Sequence, residues 1–357
     1  MVGYPKGAGD RAVAPGALTD VVVAIFRACG MGAGDAALLA DTMVTADLRG
    51  VHSHGCLRVP DYVAKLSGGG ADARGRPRVL SARGAAVVVD GGNAMGQIAA
   101  AFAIDRAIER AARVHVGVAA VGGSNHCGAM DYYAMRALPH DMIGIATTNA
   151  LPTMAPWGGR DKILGINPLA IAVPAGAEAP LVIDTAFSAS SHGKIRVFRQ
   201  KGLALPEGWA SDAEGRPTTD PSVAADGLLQ PIGGYKGTGF ALMMGILSTV
   251  LSGAAFGTRL GSMATGPKPG RDGHFLMAIN IAGFVPPATF KAEVDGIIRE
   301  LRASRPAPGH ERVMLPGERE REAAEAYARD GIPLSAETIV GITAAAARLG
   351  VDATALT

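Results

Sequence analysis

Apolar positions recur along this chain with two periods. After Thr19 and Asp20, which read as a helix cap, Val22, Val23, Ile25 and Phe26 run to a stop at Gly30, and Asp35 then opens a second helical period through Leu38, Leu39, Met43 and Leu48. The N-terminal region thus predicts a helical hairpin. Over residues 97–115, Ile98, Phe102, Ile104 and Ile108 share one helical face, with Glu109 and Arg113 paired outside it. Valine-rich residues 85–90 before that helix and 116–121 after it predict strands. Strand-like runs then follow closely at 142–148, 168–174 and 180–186 with no crossover helix between them, which favours antiparallel or mixed pairing. A Pro-, Gly- and Asp-rich stretch within 196–232 reads as a surface-wrapping segment. Next come a long apolar helix, a strand at 275–281, and a helix whose buried face carries Phe290, Val294, Ile298 and Leu301. Helices over 319–330 and 335–349 complete the pattern.

The expectation is an α/β fold in which residues 1–84 and 316–357 form a mostly helical unit around a β-rich unit at 85–315. One segment imitates a dinucleotide-binding turn, since residues 21–25 precede Gly30, Gly32 and Gly34. The spacing is not GxGxxG, and no second strand with a terminal acid follows about 20 residues on, so a helix end and turn is the better reading.

Composition narrows the function. The 357 residues are 48% hydrophobic and 18% charged, and 34 basic against 32 acidic side chains leave a formal charge of +2. Such a chain supports a packed core and offers no broad field for a nucleic-acid backbone. Cys29, Cys56 and Cys127 are odd in number and lack CxxC spacing, which fits reduced core thiols. The first residues lack the pattern of a secretory signal, so a cytoplasmic location is expected. The uncharged run at 237–257 is long enough for a membrane span, but its glycines and Thr238, Ser248, Thr249 and Ser252 favour a buried helix.

Four clusters bear chemistry. Gly50-Val51-His52-Ser53-His54-Gly55, with Arg58 beyond, joins groups that exchange protons near neutrality to a guanidinium that grips a carboxylate. That is what reduction of a 2-oxo acid requires, and spacing does not choose between the histidines. Ser124-Asn125-His126-Cys127-Gly128 follows a strand and allows His126 to meet His54 across a cleft. A metal held by His52, His54, His126 and Asp131 is disfavoured, since HExxH and paired CxxC spacings are absent. Thr148 and Asn149 close a strand beside glycine turns, and Asp184 emerges from a buried run, where it either caps the next segment or orients a histidine. Lys236, among glycines at a helix start, suits an anion.

As an ordered set these motifs resemble the malate/L-lactate dehydrogenase-like family of NAD(P)-dependent oxidoreductases. The resemblance runs from about residue 18 to residue 350 and includes Ala155-Pro156-Trp157-Gly158-Gly159, Leu164-Gly165-Ile166-Asn167-Pro168, Pro206-Glu207-Gly208-Trp209-Ala210, Pro217-Thr218-Thr219-Asp220-Pro221, Gly233-Gly234-Tyr235-Lys236-Gly237 and Leu315-Pro316-Gly317-Glu318. It implies a non-Rossmann fold with a central, mixed and largely antiparallel sheet flanked by helices, and a homodimer with NAD or NADP as cofactor. It implies a small carboxylate substrate: a 2-oxo or 2-hydroxy acid, or alternatively a cyclic imine carboxylate. Carried over, His54 becomes the acid/base supported by Ser53, with His126 its competitor and Asp184 in the catalytic set. Arg58 becomes the carboxylate grip, with Thr148 and Asn149 nearby. Cofactor contacts fall to His126, Asp184, Thr185, Ala186, Lys236, Pro316, Gly317 and Glu318, and no metal is implied. This chain departs from the family pattern at Cys127, Ala150 and Thr185-Ala186-Phe187.

Overall fold

The computed structural model describes residues 10–200, 202–262 and 265–356. Helix α1 spans Pro15–Ala28 and α2 spans Ala33–Leu48. The first begins ahead of the expected Thr19 cap because Pro15, with φ already set for a helix, sits in its first turn, while the Thr19 hydroxyl donates back to the Pro15 carbonyl at 2.9 Å. Helix α3, Val59–Ser67, follows two short turns that carry the histidine motif.

Seven strands form the main sheet: β1 Arg78–Arg83, β2 Ala86–Asp90, β3 Val116–Ser124, β4 Met142–Thr148, β5 Leu169–Val173, β6 Leu181–Thr185 and β7 Asp272–Asn280. Their spatial order is β1-β2-β3-β7-β4-β5-β6, and only β2 and β3 run parallel. The one crossover that parallel pairing demands is helix α4, Gly96–Val114. The antiparallel reading of the three close strand runs therefore holds. Strand β1 is a correction: the sheet starts at Arg78, ahead of residue 85, because a mostly exposed edge strand shows no alternation of apolar positions.

One core gathers Leu18, Ile25, Phe26, Leu39, Met43 and Tyr62 with Ile332, Ile339 and Ile342, so both ends of the chain pack together. A second lies between the sheet and α4 with α5, Asp131–Met135. Residues of the 196–232 region are not merely wrapped on the surface: Leu205, Ala210, Ala224 and Leu229 build a third small core with Phe187 and Ala241. Helix α6, Tyr235–Thr249, is the long apolar helix. Contrary to the expected burial, Phe240, Met243 and Ile246 leave one of its faces open. Helices α7 Pro287–Arg302, α8 Glu318–Asp330 and α9 Ala336–Arg348 complete the fold. No helix among the described residues is long and apolar enough to cross a membrane.

Candidate active site

The turn that carries His54 is built around one buried carboxylate. Asp47, 1% exposed near the end of α2, accepts from the Cys56 amide at 2.7 Å and pairs with His52 Nδ1 at 2.8 Å. Gly55 lies against it so closely that a Cβ there would overlap the carboxylate, so the glycine is a steric necessity. His52 is thereby turned toward Asp47 and the neighbouring Tyr327 ring, leaving His54 as the motif's histidine at the site.

His54 Nδ1 meets the Ser53 hydroxyl at 2.9 Å. Its ring stacks on that of His126, with centroids 5.7 Å apart and planes 14° from parallel, so the two histidines do meet. Burial, and then the charge of Arg58, hold the His54 pKa down to about 4, which leaves the resting ring neutral. Burial and the charges of His54, Arg58 and His274 likewise hold His126 well below the usual range. Arg58 uses Nε on the Ser53 carbonyl at 2.9 Å and Nη1 on Asp61 at 3.0 Å, which leaves Nη2 without an acceptor among the described residues. That nitrogen, on a guanidinium already fixed in plane, is suited to a carboxylate.

Behind His126 stand Tyr62 and Gln97, neither of which sequence reasoning singled out. The Tyr62 hydroxyl lies 2.7 Å from His126 Nδ1, and Gln97 Nε2 donates to that hydroxyl at 3.1 Å. His274 was also missed. It sits on central strand β7 and links Thr148 Oγ1 at 2.7 Å to Ser124 Oγ at 2.8 Å, stitching β3 and β4 to the middle of the sheet. Thr148 and Asn149 are thus committed to protein partners: the Asn149 amide donates to the Ala255 carbonyl at 3.0 Å and accepts from the Gly273 amide at 3.1 Å.

Asp184 takes neither of its two expected roles as stated. Its Oδ2 accepts from the backbone amides of Met130 and Asp131 at 2.8 and 2.9 Å, capping the start of α5, a helix far earlier in the chain. The crowding of protein around it and then the Asp131 carboxylate raise its carboxyl above the usual range, against the pull of the Asp131 and Met130 amides and the Arg49 charge. Asp131 itself pairs with Arg49 at 2.7 Å. Among the described residues no three His, Cys, Asp or Glu side chains converge to hold a metal ion.

Of the residues expected to contact a cofactor, Asp184 and Thr185 lie on edge strand β6, Ala186 follows it and the Pro316–Gly317 turn packs against it, whereas His126 sits apart with Tyr62 and His54. The Val182 amide donates to the Pro316 carbonyl at 3.2 Å, so the turn at 316–318 crosses the strand. Gly317 adopts φ +88°, and a Cβ there would sit 3.0 Å from the Val182 carbonyl oxygen. By the two-residue alternation of a strand, Val182 and Asp184 both direct their backbone N–H and C=O out of the sheet. On the other flank the Ile232 amide donates to the Phe187 carbonyl at 3.0 Å and Phe187 stacks on Phe240 at 5.5 Å, which ties α6, whose first turn carries exposed Lys236, to the residues that follow β6. With the Val182 amide taken by Pro316, the Asp184 backbone is the part of this edge left facing outward, and together with a lysine at a helix start it can take an anionic group of a dinucleotide. Glu318 stands apart from this set, because its carboxylate is taken by Arg302 at 2.6 Å and by the Leu315 amide at 3.0 Å. Of the three departures from the family pattern, Phe187 lies on that flank. Cys127 is buried on Met130, and its thiol is pushed up to about 12, chiefly by burial. The Ala150 amide donates to Asn167 at 2.8 Å.

A neutral imidazole stacked on a second ring, with an arginine whose Nη2 is open, in an α/β fold without a Rossmann turn, is chemistry suited to an oxidoreductase of 2-hydroxy and 2-oxo acids. The malate/L-lactate dehydrogenase family profile matches residues 13–343, and the chain belongs to that family. It is 36% identical over 342 residues to a malate dehydrogenase of Pyrococcus abyssi, covering 94% of each chain. The solved sulfolactate dehydrogenase of Methanocaldococcus jannaschii superposes with a TM-score of 0.91 at 35% identity, over 96% of this chain and 98% of that one. The Δ1-piperideine-2-carboxylate reductase of Pseudomonas syringae pvar. tomato superposes with a TM-score of 0.84 at 28% identity, over 94% and 99%.

Proposed function

We propose that the protein is a cytoplasmic, homodimeric NAD(P)-dependent dehydrogenase of a small 2-hydroxy acid, working reversibly on the 2-oxo acid, with His54 as acid/base and Arg58 as carboxylate grip. The observation that carries this reading is the placement of Arg58 against His54, close enough for the guanidinium charge to depress the imidazole. A neutral His54 is a ready base for the hydroxyl proton of a 2-hydroxy acid. In the other direction, a substrate carboxylate on Arg58 cancels the lesser of the two causes that disfavour imidazolium, which moves the His54 pKa back upward when substrate is seated. Ser53, on Nδ1, can accept or donate as that proton comes and goes. A positioned group of this kind contributes roughly 10²- to 10⁴-fold.

Asp184, Thr185, Ala186, Lys236 and the Pro316–Gly317 turn would hold the cofactor, Lys236 by charge and the Asp184 backbone by hydrogen bonds. When bound, the nicotinamide supplies or receives the hydride. The open face of α6, with Phe240 56%, Met243 51% and Ile246 38% exposed, supports pairing with a second copy. The three unpaired cysteines support a reducing compartment. The structural likeness to a piperideine-carboxylate reductase favours one second reading, reduction of a cyclic imine carboxylate through the same grip, with the proton delivered to nitrogen.

The test is loss of reduced-nicotinamide absorbance with NADH and NADPH separately, against pyruvate, oxaloacetate, sulfopyruvate, 2,3-diketogulonate, arylpyruvates and the two cyclic imines. Turnover of a 2-oxo acid that exceeds turnover of the imines is expected. Silence across the keto acids with rapid imine reduction moves the assignment to the second reading. Light scattering on the same sample tests the dimer.

A further inference from the structure

Two donors are aimed at a single nitrogen of His126. The Gly128 amide approaches Nδ1 at 3.4 Å and the Tyr62 hydroxyl at 2.7 Å. A main-chain amide has no lone pair to offer, so Nδ1 must be the acceptor, and the proton of the neutral ring then sits on Nε2. The reverse order, with Nδ1–H donating to the phenol oxygen, would set the hydrogens of Nδ1 and Gly128 against each other. Tyr62 is itself directed, since Gln97 Nε2 donates to its oxygen and leaves its own hydrogen for Nδ1. Tyr62 and Gln97 are both fully buried, so no water competes for these bonds.

The groups facing His126 act in the same sense. His54 and Arg58 from the turn after α2 and His274 from β7 are positive or can become so, and with burial they oppose a second proton on the ring. His54 differs in kind: its Nδ1 meets only a serine hydroxyl, which reorients freely between donor and acceptor. One member of the stacked pair is therefore free to change protonation, and the other is held in one form.

We propose that Tyr62, backed by Gln97, is a positioning residue that locks His126 as a permanent Nε2–H donor, so that His126 holds the reacting oxygen of the substrate by a hydrogen bond and proton transfer falls to His54 alone. The identity of that oxygen rests on the dehydrogenase reading above, whereas the lock is a property of the chain by itself.

The experiment separates the two. Full-length protein with ¹⁵N-labelled histidine, free of ligand, is examined by long-range ¹H–¹⁵N correlation, with His126→Gln assigning the signal. The expected result is an Nε2–H tautomer for His126 that stays unchanged across the neutral pH range, and a mixture of tautomers in Tyr62→Phe. Gln97→Met, which keeps the phenol but frees its hydrogen, gives the same change in weaker form and serves if Tyr62→Phe does not fold. In turnover, Tyr62→Phe lowers kcat/KM about 10- to 100-fold, the usual scale for losing a histidine's orienting partner, without changing cofactor affinity. His126→Gln, which retains a donor at its amide nitrogen, keeps more activity than His126→Ala. An Nδ1–H tautomer or a titrating His126 in the wild type overturns the proposal, as does a Tyr62→Phe protein with unaltered tautomer and kinetics. Wild-type protein that shows the lock but turns over no 2-oxo acid or imine counts against the dehydrogenase reading and leaves the lock standing.

Discussion

Replacing Gly55 by alanine adds one methyl group where the histidine turn passes the Asp47 carboxylate. The backbone there, at φ −86° and ψ −152°, accepts any residue, so conformational strain plays no part and the effect is steric. The new Cβ displaces a carboxylate that holds the Cys56 amide at 2.7 Å and His52 at 2.8 Å. Bonds to a charged group contribute about 1.5–3 kcal/mol each, and leaving a buried carboxylate unpaired adds to the loss. Partial relaxation keeps the expected destabilisation at about 3–5 kcal/mol. At about 2–4 °C per kcal/mol for a domain of this size, the unfolding transition falls by roughly 6–20 °C. Because the same turn carries His54 and Arg58, kcat/KM falls by about 100-fold or more, the effect of an ångström-scale misplacement. The assay is a double-mutant cycle, read by thermal unfolding and turnover, of Gly55→Ala with Asp47→Ala. Once the carboxylate is gone the methyl has room, so Gly55→Ala in that background should cost about 0.5 kcal/mol or less. Equal cost with and without Asp47 would refute the argument that the carboxylate is what the glycine accommodates.

Three further outcomes are expected. Since His54 is held down to about 4, kcat/KM for oxidation of a 2-hydroxy acid should stay level from about pH 8 to about pH 5.5 and fall only below that; an inflection near the ordinary histidine value of about 6.5 contradicts this. Arg58→Met should lower kcat/KM for carboxylate substrates about 10²- to 10³-fold, mainly through KM, and move the His54 inflection upward; an unchanged KM removes Arg58 from the substrate site. Asp272 is fully buried with neither carboxylate oxygen hydrogen-bonded, and burial pushes its carboxyl up to about 8. The folded form thus keeps a proton that the unfolded chain releases near pH 4, and the Asp272 contribution to stability declines as pH rises from about 4 toward 8. Asp272→Asn removes that slope, so its gain in Tm over wild type should grow with pH, and a pH-independent difference rules the linkage out.

The histidine turn was legible because its chemistry is local: two histidines and a serine lie between Gly50 and Gly55 with an arginine three positions on, and no tertiary contact is needed to see them. The groups that make it work are not local. Asp47 reads as an ordinary polar position near the end of α2, and Tyr62 and Gln97 are single polar residues on helices whose apolar faces dominate the pattern. Their roles arise from packing between helices far apart in sequence, for which periodicity has no signal. Strand β6 was legible as an apolar run, but not its place at the sheet edge, which leaves Ile183 exposed, nor the service of Asp184 to α5, which spans more than 50 positions. Helix α6 shows the opposite limit: hydropathy reported its apolar character without telling which face the rest of the chain would leave open.

Strand β7 occupies the middle of the sheet yet is the last of its seven strands to leave the ribosome. Until it arrives, β3 and β4 each present an unpaired edge, and the β1-β2-β3 and β4-β5-β6 halves have no strand joining them. Synthesis at about 5–20 residues per second leaves those edges waiting for several seconds while the stretch between β6 and β7 is made. Nascent chains stalled just short of residue 272 should therefore be prone to edge-to-edge association and should engage chaperones, and release of a few more codons should end both. The pairing that joins the halves is also what places His274 between Ser124 and Thr148, so birth order and that link across the middle of the sheet are settled in the same step.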